Sequence, residues 1–386
     1  MAKNFGDRNP PRVFFYQRLL IFISVLTLMI IGLISISSAT QSLDAGSYRF
    51  LERQLIWLGL AIGVGIIAAL INLDKIKPLI PVAAVLAVGV LILVLIPGIG
   101  KMVNGSRRWI VLGGLGFQPS EFAKIAFIFL MAYYLDAQHR NLKDLKLGLF
   151  LPLIFIGVFA FPILLEPDFG TCALFGAVGM LMLFLSGARL VHLIPTLAGG
   201  VAAFIGLILQ DEVRSRRLFA FVDVEGNRQG GSYQLYQGWL AFVNGGATGV
   251  GAGNGRYQND YLPEAHTDFI LAIIGEEFGF MITTLVVILF ATIFCLIIFS
   301  LKRAPDMYHG QLVMGTLLMI CLQALINMGV VTGLLPTKGL SLPFISYGGS
   351  NLITMCALTG ILINCLRHWE KLPISSEQRK FVEITA

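Results

Sequence analysis

The sequence predicts an all-α polytopic membrane protein, with about ten transmembrane helices and a large extracytoplasmic loop before the eighth. Three observations predict it. Hydrophobic residues make up 56% of the 386-residue chain and charged residues only 13%, against about 45–50% and about 25% in soluble domains. The apolar excess is gathered in long blocks nearly free of charge, each close to the roughly 20 residues that span a bilayer. Backbone in hydrocarbon must bond to itself, so runs of this length are helices. A soluble domain, a disordered chain and a fibrous repeat are thereby excluded. The net charge of +6 fits lysine and arginine at cytoplasmic loop ends, not a nucleic-acid partner. The five cysteines (Cys172, Cys295, Cys321, Cys356, Cys365) lie in or beside apolar blocks, with no CxxC and no histidine at ligand spacing. They read as packing residues, not as disulfides or metal ligands.

The first apolar run, 19–37, follows Lys3, Arg8, Arg12 and Arg18. Ser37-Ser38-Ala39 loosely mimics a cleavage site, but the run is long enough to span and others follow, so it reads as an uncleaved first helix. Further spans fall at 55–72, 79–97, 119–135, 148–165, 170–186, 190–209, 268–299, 310–333 and 348–366. The sixth is short, and the eighth is long enough to tilt, kink or project. The chain divides into an N-tail, 1–18, a single transmembrane domain, 19–366, with an outer loop at 210–267, and a C-tail, 367–386. With the N-terminus inside, sixteen Lys and Arg fall on inner segments and eleven on outer ones, five of those in the long loop. Long loops escape the positive-inside rule, so both termini are expected in the cytoplasm of a multi-pass cytoplasmic (inner) membrane protein.

That topology puts the unusual residues on the outer side, where loops on a rigid scaffold carry function. Arg107 and Arg108 read either as exposed charges or as phosphate ligands. Glu121 and Lys124 are three apart on one face of the fourth span, as a helix-packing ion pair or as a functional intramembrane pair. Glu166 and Asp168 flank Pro167, as a sugar- or metal-binding pair or with Asp168 capping the sixth helix. The long loop carries Arg214, Arg216 and Arg217, then the run Gly245–Gly255. That run lacks the Walker lysine and serine, so it reads as a tight backbone path and not as a nucleotide loop. Tyr233, Tyr236, Trp239 and Phe242 before it suit an interfacial helix. At the start of the eighth span, Thr267 or Asp268 is an N-cap, or Asp268 is an acid at the mouth of a low-dielectric cavity. Glu276 and Glu277 follow two turns deeper, lining the same cavity or pairing with Lys338 or Lys124.

Five ordered strings carry a resemblance: Gly105-Ser106-Arg107-Arg108-Trp109, Gln118-Pro119-Ser120-Glu121-Phe122-Ala123-Lys124, Glu166-Pro167-Asp168-Phe169-Gly170, Leu262-Pro263-Glu264-Ala265-His266-Thr267-Asp268-Phe269 and Leu342-Pro343-Phe344-Ile345-Ser346-Tyr347-Gly348-Gly349-Ser350. From the first span to the tenth, the chain resembles the shape, elongation, division and sporulation (SEDS) family of glycosyltransferases. The strings at 274–279 and 333–339 look most like its division member. The resemblance implies polymerisation of lipid II, the undecaprenyl-pyrophosphate-linked disaccharide peptide, into glycan strands at the outer membrane face. It also implies Asp268 as the essential acid and Glu121 and Lys124 as the membrane-cavity pair. Arg107, Arg108, His266, Glu276, Lys338, Ser346 and Ser350 are further expected substrate-binding or cavity residues. The implied partners are a class B penicillin-binding protein transpeptidase, docking on the eighth and ninth spans and the long loop, and other divisome membrane proteins. No cofactor is required by the sequence, and a divalent cation (Mg²⁺ or Mn²⁺) is compatible with pyrophosphate departure.

From the residues alone, an outer acid can take a hydroxyl proton and nearby cations can stabilise a departing pyrophosphate. A carrier or lipid flippase also suits glycine- and proline-broken spans with internal charges, but a carrier needs gates on both faces and the motifs cluster on one. A non-catalytic scaffold would tolerate loss of Asp268. Elongation- and sporulation-type members share the expected chemistry.

Overall fold

The structure, a computed structural model, describes residues 13–40, 47–103, 105–112, 115–257, 262–263, 265–302, 304–337 and 339–371. Lys338 and Glu264 lie outside the described residues, as do most of both predicted tails.

Every predicted span is helical. They are α1 (Val13–Ala39), α2 (Ser47–Leu70), α3 with α4 (Leu73–Ile76 and Ile80–Leu93), α5 (Pro119–Ala137), α6 (Leu151–Leu165), α7 (Phe169–Leu185), α8 (Leu190–Gln210), α11 (Ile270–Leu301), α12 (Met307–Val331) and α13 (Gly349–Lys371). Eight of these segments are long and apolar enough to cross a membrane; α7 is apolar but shorter, at 17 residues. α5 carries Glu121, Lys124 and Asp136 within its 19 residues. The protein is therefore an all-α, multi-pass membrane protein.

α12 and α13 form the centre, with 78% and 83% of their apolar windows buried. α5, α7, α11 and α2 pack around them, and α1 packs on α11. At the other extreme, Leu193 is the only buried residue among those of α8, whose apolar surface is left free by the bundle. Polar side chains inside hydrocarbon must find partners within the protein. This is why α12 buries Gln323 and Asn327 where the connection to α13 folds back on it.

Three features add detail to the sequence reading. A three-stranded antiparallel sheet follows α4, with β1 (Lys101–Val103), β2 (Ser106–Leu112) and β3 (Leu115–Phe117). The long outer loop holds two helices, α9 (Glu212–Val222) and α10 (Tyr233–Gly245), the second on the aromatic stretch expected to be helical. The third is a break in α11 at Gly279, with φ +73° and ψ −172°. The glycine run folds into that break: Phe280 N–H donates to Gly246 O (2.9 Å), while Val250 and Gly251 N–H donate to the carbonyls of Glu276 and Glu277 (both 3.0 Å). A Cβ on Gly279 would sit 2.4 Å from Gly249 N. Glycine is needed there for both its conformation and the approach of a second backbone. The glycine run is thus a plug of irregular backbone hydrogen-bonded into a broken helix.

Candidate active site

One end of the bundle encloses a cavity of about 690 Å³. All five motifs reach its walls, through Arg108 and Trp109, Gln118 and Glu121, Pro167 to Thr171, His266 to Phe269, and Tyr347 to Gly349 with Asn351. Arg53 of α2 and Arg217 of α9 complete a basic rim. Segments more than two hundred residues apart therefore build one site.

Asp268 lies on its wall, in the turn before α11. The N-cap position of α11 is Phe269, one residue beyond Asp268. The turn is held through its backbone. Asn327 Nδ2 donates to Asp268 O (2.8 Å) and to Leu340 O (2.6 Å). Ser346 Oγ donates to Thr267 O (2.6 Å) while accepting from Leu342 N–H (2.7 Å), and Tyr347 N–H donates to His266 O (3.0 Å). Across the cavity wall, a Cβ on Gly339 would lie 2.4 Å from Asp268 Oδ2. A side chain there would push that carboxylate aside. His266 lines the cavity with its ring against Phe50 and Tyr347.

Glu121 reaches the cavity and Lys124 lies beneath it, fully buried. Lys124 Nζ donates to Glu121 Oε1 and to Gln323 Oε1 (both 2.7 Å), and Asn351 Nδ2 donates to Glu121 Oε2 (3.0 Å). Gln323 Nε2 in turn donates to Ser341 O (2.8 Å). A buried charge pair is tolerable when its remaining lone pairs and protons are satisfied, and this chain satisfies them while fixing the cavity's floor to the 339–341 segment.

Arg108 lines the cavity and clamps the 166–168 turn, donating from Nε to Glu166 O (2.8 Å) and from a terminal nitrogen to Pro167 O (2.9 Å). Arg107, next on the same strand, projects to the other face and is not among the residues lining the cavity. Asp168 does cap its helix, accepting from Thr171 N–H (3.1 Å) and Thr171 Oγ1 (2.9 Å). Glu166 is fully buried with neither carboxylate oxygen partnered. Burial first, and the Asp168 carboxylate second, push its acid up to about 8 against the opposing pull of Arg108.

Further expected cavity residues sit elsewhere. Glu276 accepts from Asn244 Nδ2 (2.8 Å) and from the Arg256 and Tyr257 amides (2.7 and 3.2 Å). It and Glu277, which accepts from Gly253 N–H (3.0 Å) and Ser38 Oγ, tie down the glycine plug instead of lining the cavity or meeting Lys124. Ser350 is buried and accepts from Gln118 N–H (3.0 Å), joining α13 to the start of α5. Ser346 is the clamp described above and, like Ser350, is not a lining residue. Sequence reasoning missed Arg53, whose only signal is a cation at the outer end of the second span, and Asn327, a polar residue in an apolar run.

The sequence pattern of the FtsW/RodA/SpoVE family, described as cell cycle proteins, matches residues 17–371. The chain belongs to this family. It is 38% identical over 371 residues to the probable peptidoglycan glycosyltransferase FtsW of Shewanella sediminis, covering 93% of this chain and 88% of that one. It is also 38% identical over 358 residues to stage V sporulation protein E of Bacillus subtilis, covering 91% and 97%. A solved chain from a peptidoglycan synthase complex, studied for its coordination of polymerization and crosslinking, shares the fold with a TM-score of 0.75 at 23% identity, covering 91% of this chain and 98% of that one. The cavity therefore belongs to a family fold that its own sequence relatives share along nearly their whole length.

Proposed function

We propose that this chain is a peptidoglycan glycosyltransferase that polymerises lipid II at the outer face of the cytoplasmic membrane during cell division, with Asp268 as general base. The observation that carries the reading is one cavity at one end of the bundle where Asp268 faces a rim of Arg53, Arg108 and Arg217. The acceptor's GlcNAc 4-hydroxyl attacks the donor's anomeric carbon as its proton passes to the Asp268 carboxylate. The bond to undecaprenyl pyrophosphate breaks, and the arginines stabilise the charge that departs. Both substrates are confined to the membrane plane, so holding them in line removes much of the orientation cost. The FtsW relatives' name supports the division role, and the sporulation relative of equal identity shows that the fold serves other cell-wall programmes.

No metal is needed to derive these steps. Both Asp168 oxygens already accept hydrogen bonds from Thr171, and among the described residues no three-ligand set gathers at the cavity. A divalent cation would come with the pyrophosphate, held by one or two carboxylates. The partner expected is a single-span class B penicillin-binding protein within the divisome. α11 offers it a surface beyond the kink, where Phe280 and Met281 are 69% and 65% exposed. α12 is mostly buried, and Leu325, 58% exposed, is the large apolar side chain it adds to such a surface.

The test is gel analysis of glycan made from purified lipid II by the purified chain, alone and with the transpeptidase. Polymer in both arms, rising with the partner, is expected. Transfer of lipid II between leaflets without polymer would favour the flippase reading.

A further inference from the structure

At the end of the bundle opposite the cavity, three metal-binding side chains from three separate elements converge. A carboxylate oxygen of Asp74, a ring nitrogen of His309 and a ring nitrogen of His368 lie within 4.8 Å of one another. Asp74 is on α3, His309 in the first turn of α12 and His368 in the last turn of α13. The two imidazoles are stacked, 4.4 Å between centroids and 20° between planes. We propose that Asp74, His309 and His368 bind a divalent cation of the Zn²⁺ class, which joins the α2–α4 connection to the inner ends of the two central helices.

Two observations beyond proximity support a site. His309 is 3% exposed, and its Nδ1 lies 2.8 Å from Asp306 Oδ1. With the proton on Nδ1, donated to Asp306, Nε2 keeps its lone pair. A carboxylate behind a histidine is how metal sites fix the tautomer, aim the ring and raise its basicity. Asp306 is itself fixed, accepting His309 N–H (2.8 Å) as the N-cap of α12. The second observation is the donor set. Two imidazoles and one carboxylate suit borderline first-row dications, and three protein ligands leave a position for water.

The geometry needs little movement. Ligand atoms around tetrahedral zinc lie roughly 3.3 Å apart for bonds of about 2.0–2.1 Å. Asp74 is half exposed and His368 half buried, so both can turn inward. Asp74 also meets Lys77 Nζ (3.2 Å), an exposed pair that a metal would displace. Surface pairs of this kind contribute little, with a median of about 0–1 kcal/mol.

The experiment uses the full chain in detergent, purified through a tag without histidines and stripped by chelator. Co²⁺ serves as a spectroscopic probe, with Zn²⁺ as competitor. One Co²⁺ per chain, with visible bands of low coordination number abolished by Zn²⁺, is expected, together with a higher Tm in Zn²⁺. His368→Gln and Asp74→Asn, at sites with some exposure, should each weaken Co²⁺ at least about 10-fold. Asp306→Asn, which keeps an oxygen to cap α12 but removes the charge behind the imidazole, should cost about 10–100-fold. Unchanged Tm of the variants in chelator shows that they fold. No metal taken up by the folded chain would overturn the proposal. So would binding that survives both ligand variants, which would assign the metal to other surface groups.

Discussion

Glu166 and Asp168 are two residues apart, yet their carboxylates meet opposite surroundings. Asp168 is bonded to Thr171, whereas Glu166 is buried without a partner and keeps its proton up to about pH 8, against an ordinary value of 4.5. The folded chain therefore holds a proton that the unfolded chain has lost between those limits. The stabilisation is full below about 4.5 and falls as pH rises towards 8, by at most about 1.4 kcal/mol per pH unit. Glu166→Gln keeps the shape and removes this slope, so Tm against pH should be flatter from pH 5 to 8 than for the native chain. Parallel curves would show that Glu166 titrates normally. The sequence offered this pair either as a sugar- or metal-binding pair or as a turn with Asp168 capping the next helix, and the cap is what the structure shows. It could not reveal which carboxylate was orphaned, because that depends on Arg108 reaching the turn's carbonyls from a strand 58 residues away.

At the scale of elements, the spans were legible because a bilayer imposes length and apolarity. The sheet was not, since its strands are only 3 and 7 residues long, and its turn signals, Asn104-Gly105 and Gly113-Gly114, are short pairs beside an apolar span. The break in α11 was hidden for the same reason that the glycine run was ambiguous: each explains the other, and neither is local. Two predictions belong here. Gly339→Ala places a Cβ 2.4 Å from Asp268 Oδ2. Displacing a catalytic group by about 1 Å can cost about 10²-fold, so polymer yield should collapse with Tm little changed, and normal yield would show the segment to be compliant. Lys124→Met leaves Glu121 buried and unpaired, which should cost about 3–5 kcal/mol of stability. Adding Glu121→Gln should recover most of it. Equal Tm for the single and double variants would show that the pair is not energetically coupled.

For the whole molecule, helix alternation sends the Arg53, Arg108, Glu166 and Asp268 ends to one face and the Asp74, His309 and His368 ends to the other. Charge bias predicts that the second face is cytoplasmic. Single cysteines near Arg216 should react with an impermeant reagent in intact cells, and those near Lys143 and Lys302 should not; the reverse pattern would invert the protein and its chemistry. The site's location was readable from topology alone, because the unusual residues fell on one side. Its membership was not. Glu276 and Ser350 carry the same chemical types as true cavity residues, and only packing assigns them to the glycine plug and to the α5–α13 joint. The central claim is that the Asp268 carboxylate takes the acceptor's proton. Asn at that position keeps the size of the side chain and can still accept a hydrogen bond at the start of a helix. The decisive measurement is glycan yield from purified lipid II by Asp268→Asn, taken with its Tm and its lipid II binding. A folded variant that binds lipid II and polymerises about 10²–10⁴-fold more slowly is the predicted result, and polymerisation at the native rate would contradict it.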